Sequence, residues 1–87
     1  MSADRPRAYV AANVRAEAAR RGLRQADLAG SLGVSQETLS RRLTGRVPFD
    51  VDELVDVAAA LGVDVAELFT RHPVPMAAET LPGLGGP

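Results

Sequence analysis

Few side chains in this sequence are placed for acid–base or nucleophilic chemistry. A nucleophilic serine needs a histidine base within hydrogen-bonding reach, and the one histidine, His72, lies well outside the segment that holds Ser31, Ser35 and Ser40. His72 also has no ligand partners at metal spacing, and the chain has no cysteine. Helix capping and a solvated helix face explain the carboxylates that cluster at Asp50, Asp52, Glu53 and Asp56. We therefore expect no enzyme, no metal site and no cofactor.

A second set of polar residues has a spacing that favours recognition. Gln36, Glu37, Ser40 and Arg41 fall on one arc of a helix if this segment is helical. Glutamine can make two hydrogen bonds to adenine, glutamate can accept from the cytosine amino group, and arginine can fork onto guanine. This arc therefore predicts hydrogen bonding to base edges in the DNA major groove.

Apolar periodicity predicts about five short helices that would hold this arc in place. Val10, Val14 and Ala18 repeat at intervals of four residues, which is typical of one helix face. Ser35 is a good N-cap for a third helix that ends at Leu43, and Asp50–Glu53 and Asp64–Glu67 both have capping-box spacing. The predicted bounds of the other helices are 8–21, 25–32, 51–61 and 65–71. The expected fold is an all-α bundle.

The second and third predicted helices are joined by a tight turn, as in a helix-turn-helix. Ala29 is small at the point where these two helices must approach each other closely. Gly33 can adopt the positive φ that the turn requires. Val34 and Leu39 would tie the third helix to the core and leave its polar arc facing outward.

These residues carry a family resemblance. The stretch from Val14 to Phe69, about two-thirds of the chain, resembles the lambda-repressor-like family, also called XRE or Cro-type helix-turn-helix. The matching residues are Arg21-Gly22-Leu23, Gln25, Leu28-Ala29, Leu32-Gly33-Val34-Ser35, Leu39, Gly45, Leu54, Ala58, Leu61-Gly62-Val63 and Leu68. The segment 39–49 is similar to versions found in actinobacteria and their phages. The resemblance implies a compact lambda-repressor-like bundle of about five helices.

The resemblance also implies roles for individual residues. Gln36, Glu37 and Arg41 would face the major groove, Gln25 would hold a phosphate, and Arg46 with its loop would touch the DNA backbone. We add three polar residues near these positions, Arg24, Ser35 and Arg42. The expected phosphate contacts are therefore Arg24, Gln25, Ser35, Arg42 and Arg46.

The sequence departs from the family pattern at three positions. Many relatives pair an arginine in the first helix with a glutamate near the end of the third, where this chain has Ala18 and Leu43. Loss of both partners exchanges an ion pair for an apolar contact at little net cost. Relatives also often have serine where Arg24 stands, and a cation there opposes the helix dipole unless an anion such as phosphate lies nearby.

The charges are segregated along the chain. Residues 1–46 contain nine arginines and four acidic residues, whereas residues 47–87 contain one arginine and seven acidic residues. This asymmetry predicts one face for a polyanion and another for water or a partner. No apolar run reaches the roughly 20 residues of a membrane span, and residues 1–7 lack the apolar stretch of a signal peptide. We therefore expect a cytoplasmic protein, nucleoid-associated when bound to DNA.

The predicted organisation is a flexible N-terminal arm at 1–7, a DNA-binding domain at 8–72 and a disordered tail at 73–87. The expected function is a sequence-specific transcriptional regulator of double-stranded DNA, either Cro-like or a small repressor. We expect a weak dimer or a monomer in free solution, and pairing of two copies on a palindromic operator through the fourth and fifth helices. Two alternatives remain: a DNA-binding antitoxin of a toxin–antitoxin pair, and a protein-interaction module on the same scaffold.

Overall fold

The computed structural model describes residues 5–71. Four α-helices and one 3₁₀ helix make up this part of the chain, which contains no strand. The prediction of an all-α bundle is confirmed. The elements are α1 (Pro6–Arg20), α2 (Gln25–Leu32), α3 (Gln36–Leu43), α4 (Val51–Leu61) and the 3₁₀ helix (Val65–Phe69).

Helix α1 begins at Pro6, two residues before its predicted start. Proline suits the first helical position because its φ is already helical and its missing N–H would have no partner there. The carbonyl of Arg5 accepts hydrogen bonds from the N–H groups of Ala8 and Tyr9. The last two residues of the predicted N-terminal arm are therefore helical. Residues 1–4 of that arm and the predicted tail at 73–87 lie outside the described residues.

The prediction of a capping box at the fifth helix is wrong. The side chain of Asp64 makes no capping hydrogen bond. Its carbonyl oxygen instead accepts from the N–H of Glu67 at 2.9 Å. This bond spans three residues, as expected in a 3₁₀ helix, and it occupies the N–H that the Asp64 side chain would have capped. The element is consequently a 3₁₀ helix that ends at Phe69 rather than a helix that reaches residue 71.

The core is aliphatic and draws on every helix. Leu39 at the centre of α3 is 0% exposed, which fixes the helix against its neighbours. Each fully buried leucine of this kind stabilises the fold by about 1.5–3 kcal/mol relative to exposure. The largest fully buried side chains are Leu28, Leu39, Leu61, Leu68, Val14 and Val57.

One polar residue inside this core, Asn13, has a structural role that the sequence pattern did not reveal. It is 8% exposed, and its Nδ2 donates to the carbonyls of Leu68 and Thr70, both at 2.7 Å. The amide thereby satisfies two carbonyls at the end of the 3₁₀ helix. Asn13 thus links the C-terminal end of the described chain to α1 by hydrogen bonds.

Candidate nucleic-acid interface

The turn between α2 and α3 has the geometry that the sequence predicted. Gly33 ends α2 in the left-handed region at φ 70°, where a residue with a Cβ atom would be strained. The N–H of Val34 donates back to the carbonyl of Ala29 at 3.1 Å. Ala29 is 2% exposed, so a larger side chain would force the helices apart. These contacts fix the angle at which α3 leaves α2.

Ser35 begins α3. Its Oγ accepts from the N–H of Thr38 at 3.1 Å and lies 3.0 Å from the Thr38 hydroxyl. The predicted N-cap is therefore confirmed. The serine hydroxyl is committed to this cap, and its contact with phosphate stays a prediction.

The residues predicted to read bases lie together on the outer surface of α3. Gln36, Glu37 and Arg41 are exposed, while Ser40 is half-buried. An ion pair links Arg41 Nη2 to Glu37 Oε2 at 3.1 Å across one helical turn. Glu37 is 79% exposed and Arg41 47%, so water screens this pair and both side chains stay accessible. The geometry leaves a hydrogen-bonding face directed away from the core.

Gln25 connects the start of α2 to the start of α3. Its Nε2 donates to the carbonyl of Gln36 at 3.4 Å. The amide nitrogen carries a second hydrogen that this contact does not use. Gln25 is exposed, and the geometry leaves that hydrogen available to a ligand such as a phosphate oxygen.

Arg24 is the N-cap residue of α2, and its side chain makes no capping hydrogen bond. The Arg24 N–H donates to Asp27 Oδ2 at 3.0 Å, and the Arg24 Nε lies 3.5 Å from the same oxygen. The backbone hydrogen bond is the main reason that the pKa of Asp27 lies below its ordinary value. The carboxylate offsets the unfavourable position of Arg24 at the helix N-terminus. Because the Arg24 side chain is 83% exposed, its guanidinium can still reach an anion in solvent.

Arg42 has a partner that the sequence analysis did not anticipate. Its Nε lies 3.0 Å from both carboxylate oxygens of Glu53, and the two side chains are 21% and 19% exposed. This pair joins α3 to the first turn of α4. A contact between Arg42 and phosphate stays a prediction, and such a contact would compete with this ion pair. Arg46, in the loop that follows α3, is exposed.

A surface pocket lies among α1, α2 and the C-terminal end of α3. Ala18 and Leu43 both line this pocket, whose volume is about 230 Å³. Arg15, one turn before Ala18, lines it as well, and its Nη1 donates to the carbonyl of Leu43. A cation at the C-terminal carbonyls of a helix is favourable. Arg15 thus links α1 to the end of α3. The one sequence signal for this contact is that Arg15 lies one helical turn before Ala18.

Two further properties concern the described chain. Residues 5–71 contain no group of three or more histidine, cysteine or acidic residues placed to hold a metal ion. Within the same range, no helix has both the length and the apolar character needed to cross a membrane.

Comparison with known proteins identifies the family of this domain. Searches of curated proteins and of solved structures gave no match. A family model described as a helix-turn-helix domain matches residues 10–69. This match spans more than half of the chain and includes α2, the turn at Gly33 and α3. The chain therefore belongs to the helix-turn-helix domain family.

Proposed function

We propose that the chain is a sequence-specific transcriptional regulator, Cro-like or a small repressor, that reads the major groove of double-stranded DNA with α3. The observation that carries this proposal is the outer arc of α3, where Gln36, Glu37 and Arg41 are exposed side by side. Their amide, carboxylate and guanidinium groups match the donors and acceptors on base edges. Ser40, which is half-buried on the same helix, completes the proposed reading face.

Phosphate contacts would hold this reading face in register. Arg24 and Gln25 lie next to the start of α3, because the Gln25 amide reaches the carbonyl of Gln36. Arg46 follows the end of α3 on an exposed loop. Ser35 and Arg42 are weaker candidates, since the first caps α3 and the second pairs with Glu53.

A palindromic operator would be bound by two copies of the chain, each placing one α3 in a half-site. A weak homodimer that forms on DNA fits the apolar side chains that are exposed on α4 and the 3₁₀ helix. Val51, Val55 and Phe69 are 76%, 54% and 45% exposed, and Val51 and Val55 are one turn apart on α4. We propose that α4 and the 3₁₀ helix meet the second copy. A DNA-binding regulator of this kind acts in the bacterial cytoplasm at the nucleoid.

The test is binding of fluorescent random duplex DNA, measured by anisotropy at low salt and during a salt titration. Binding that weakens linearly in log salt supports the proposal. Absence of binding at low salt refutes it and favours a protein-interaction module. An Arg41→Ala variant that still binds random duplex but loses discrimination between sequences supports the assignment of α3 as the reader. Co-purification with the product of a neighbouring gene would instead favour the antitoxin alternative.

A further inference from the structure

Three arginines converge on the C-terminal end of α3. Arg15 reaches it from α1 and donates to the carbonyl of Leu43. Arg7, two turns earlier on α1, has its Nη1 3.5 Å from the carbonyl of Arg46. The first turn of α1 lies close to this loop, because a Cβ atom placed on Gly45 would be 3.5 Å from the Cα of Ala8.

These three arginines differ from the others near the helix-turn-helix because they form no ion pair with a carboxylate of residues 5–71. Arg24, Arg41 and Arg42 each pair with a carboxylate, at Asp27, Glu37 and Glu53 respectively. Within residues 5–71, no carboxylate forms an ion pair with Arg7, Arg15 or Arg46. Arg7 and Arg15 instead donate to neutral carbonyls. The positive charge at this end of α3 is thus uncompensated by any described acidic side chain.

The position of Arg15 shows which side of the molecule its own charge faces. Arg15 lines the same pocket as Arg24 and Gln25, the two residues next to the start of α3. The rest of the pocket wall is apolar, from Ala18, Ala19, Leu23, Leu28 and Leu43. Arg15 therefore shares one surface with the proposed phosphate contacts at the beginning of the reading helix.

We propose that Arg7 and Arg15, together with Arg46, bind further phosphates of the DNA backbone, with Arg15 beside the pocket of Arg24 and Gln25 and with Arg7 and Arg46 at the C-terminal end of α3. The inference rests on the proposed function and extends it to two residues of α1. An eight-residue helix is about 12 Å long, so Arg7 and Arg46 at its end engage other phosphates than Arg24 and Gln25 near its beginning. Arg15 lies between these two groups. Guanidinium groups are suited to this role because they present several donors to phosphate oxygens.

The experiment is a salt titration of duplex binding by full-length Arg15→Gln, Arg7→Gln and the double variant. Glutamine at position 15 removes the charge and keeps a polar side chain at this exposed position. Thermal unfolding checks that each variant is folded. The matched control is Arg20→Gln, which removes one charge from the same helix at a residue that pairs with Glu17. Each lost phosphate contact should make the slope of log affinity against log salt shallower by about 0.9.

The expected result is a slope reduced by about 0.9 in each single variant and by about 1.8 in the double variant, with the Arg20→Gln slope equal to wild type. Unchanged slopes in the Arg7 and Arg15 variants, with normal binding by wild type, would overturn this inference and leave the proposed function intact. An equal reduction in Arg20→Gln would also overturn it, because the effect would then reflect net charge alone. Failure of wild type to bind duplex would refute the proposed function itself.

Discussion

The Nε of Arg42 lies 3.0 Å from each carboxylate oxygen of Glu53, and this pair spans the loop between α3 and α4. Glu53 Oε1 also accepts from the N–H of Asp50 at 2.9 Å, while Asp50 Oδ1 accepts from the Glu53 N–H at 2.7 Å. One carboxylate therefore caps α4 and holds the end of α3. The orientation of α3 depends on this contact as well as on the core.

Glu53→Gln should destabilise the protein by about 1–3 kcal/mol, because the negative charge and one of the two oxygens that face Arg42 Nε are lost while Arg42 remains four-fifths covered. Glutamine keeps an oxygen that can accept from the Asp50 N–H, so the capping box survives. Urea unfolding measures the change. The control is Asp52→Asn, which removes an exposed carboxylate from the same first turn and should lose only about 0.3–1 kcal/mol of dipole stabilisation. Equal losses in the two variants would contradict a specific role for the ion pair.

Asn13→Leu should destabilise the protein by about 1–3 kcal/mol, because the carbonyls of Leu68 and Thr70 lose their buried donor. Asn13→Asp should be worse at pH 7, since an ionised carboxylate would face two carbonyl oxygens. Acidification should partly relieve the Asp variant, because a protonated carboxyl can donate one hydrogen bond. Thermal unfolding at pH 7 and pH 4 distinguishes the two. An Asp variant as stable as wild type at pH 7 would show that the 3₁₀ helix does not depend on this amide.

Ser35→Ala should lower stability by about 1 kcal/mol through loss of the α3 N-cap. Ser31→Ala is the matched control, because Ser31 Oγ donates only to the carbonyl of Asp27 within α2 and alanine favours a helix interior. Circular dichroism during thermal unfolding gives both values. The cap assignment fails if the two substitutions have the same effect.

Acid should destabilise the fold through Asp27 and Glu17. The pKa of Asp27 is lowered mainly by the Arg24 backbone N–H, and that of Glu17 mainly by the hydrogen bond from Arg20. A carboxyl whose pKa is lower in the folded state stabilises that state above the unfolded pKa, about 4, and this contribution is lost as pH falls through the folded pKa. Thermal midpoints should therefore decline below about pH 4. Asp27→Asn should flatten this decline; a steeper decline in the variant would reverse the assigned sign.

The sequence predicted the helices whose ends are marked locally. Helices α2 and α4 have the predicted bounds because glycine ends each one in the left-handed conformation. The start of α3 followed from the Ser35 cap. The Asn13, Arg15 and Arg42 contacts escaped prediction because each joins residues at least 11 positions apart. Such pairs depend on how helices pack, which a local pattern of residue types does not specify.

The same limit applies to the candidate interface. The 3.6-residue period was sufficient to place Gln36, Glu37 and Arg41 on the outer arc of α3. It could not show that Arg42, the next residue, turns back to pair with Glu53. Neighbours in sequence point about 100° apart on a helix, and only the position of α4 decides which of them finds a partner.

The most direct test of the central claim is selection of bound sequences from a random pool of duplex DNA by wild type, Glu37→Gln and Arg41→Ala. Wild type should enrich one motif. Arg41→Ala should relax the preference at one base pair and lose about 1–3 kcal/mol on the best site. Glu37→Gln should shift the preferred base at another position and raise non-specific affinity, because a carboxylate that repels phosphates is gone. The account is contradicted if both variants select the wild-type motif unchanged.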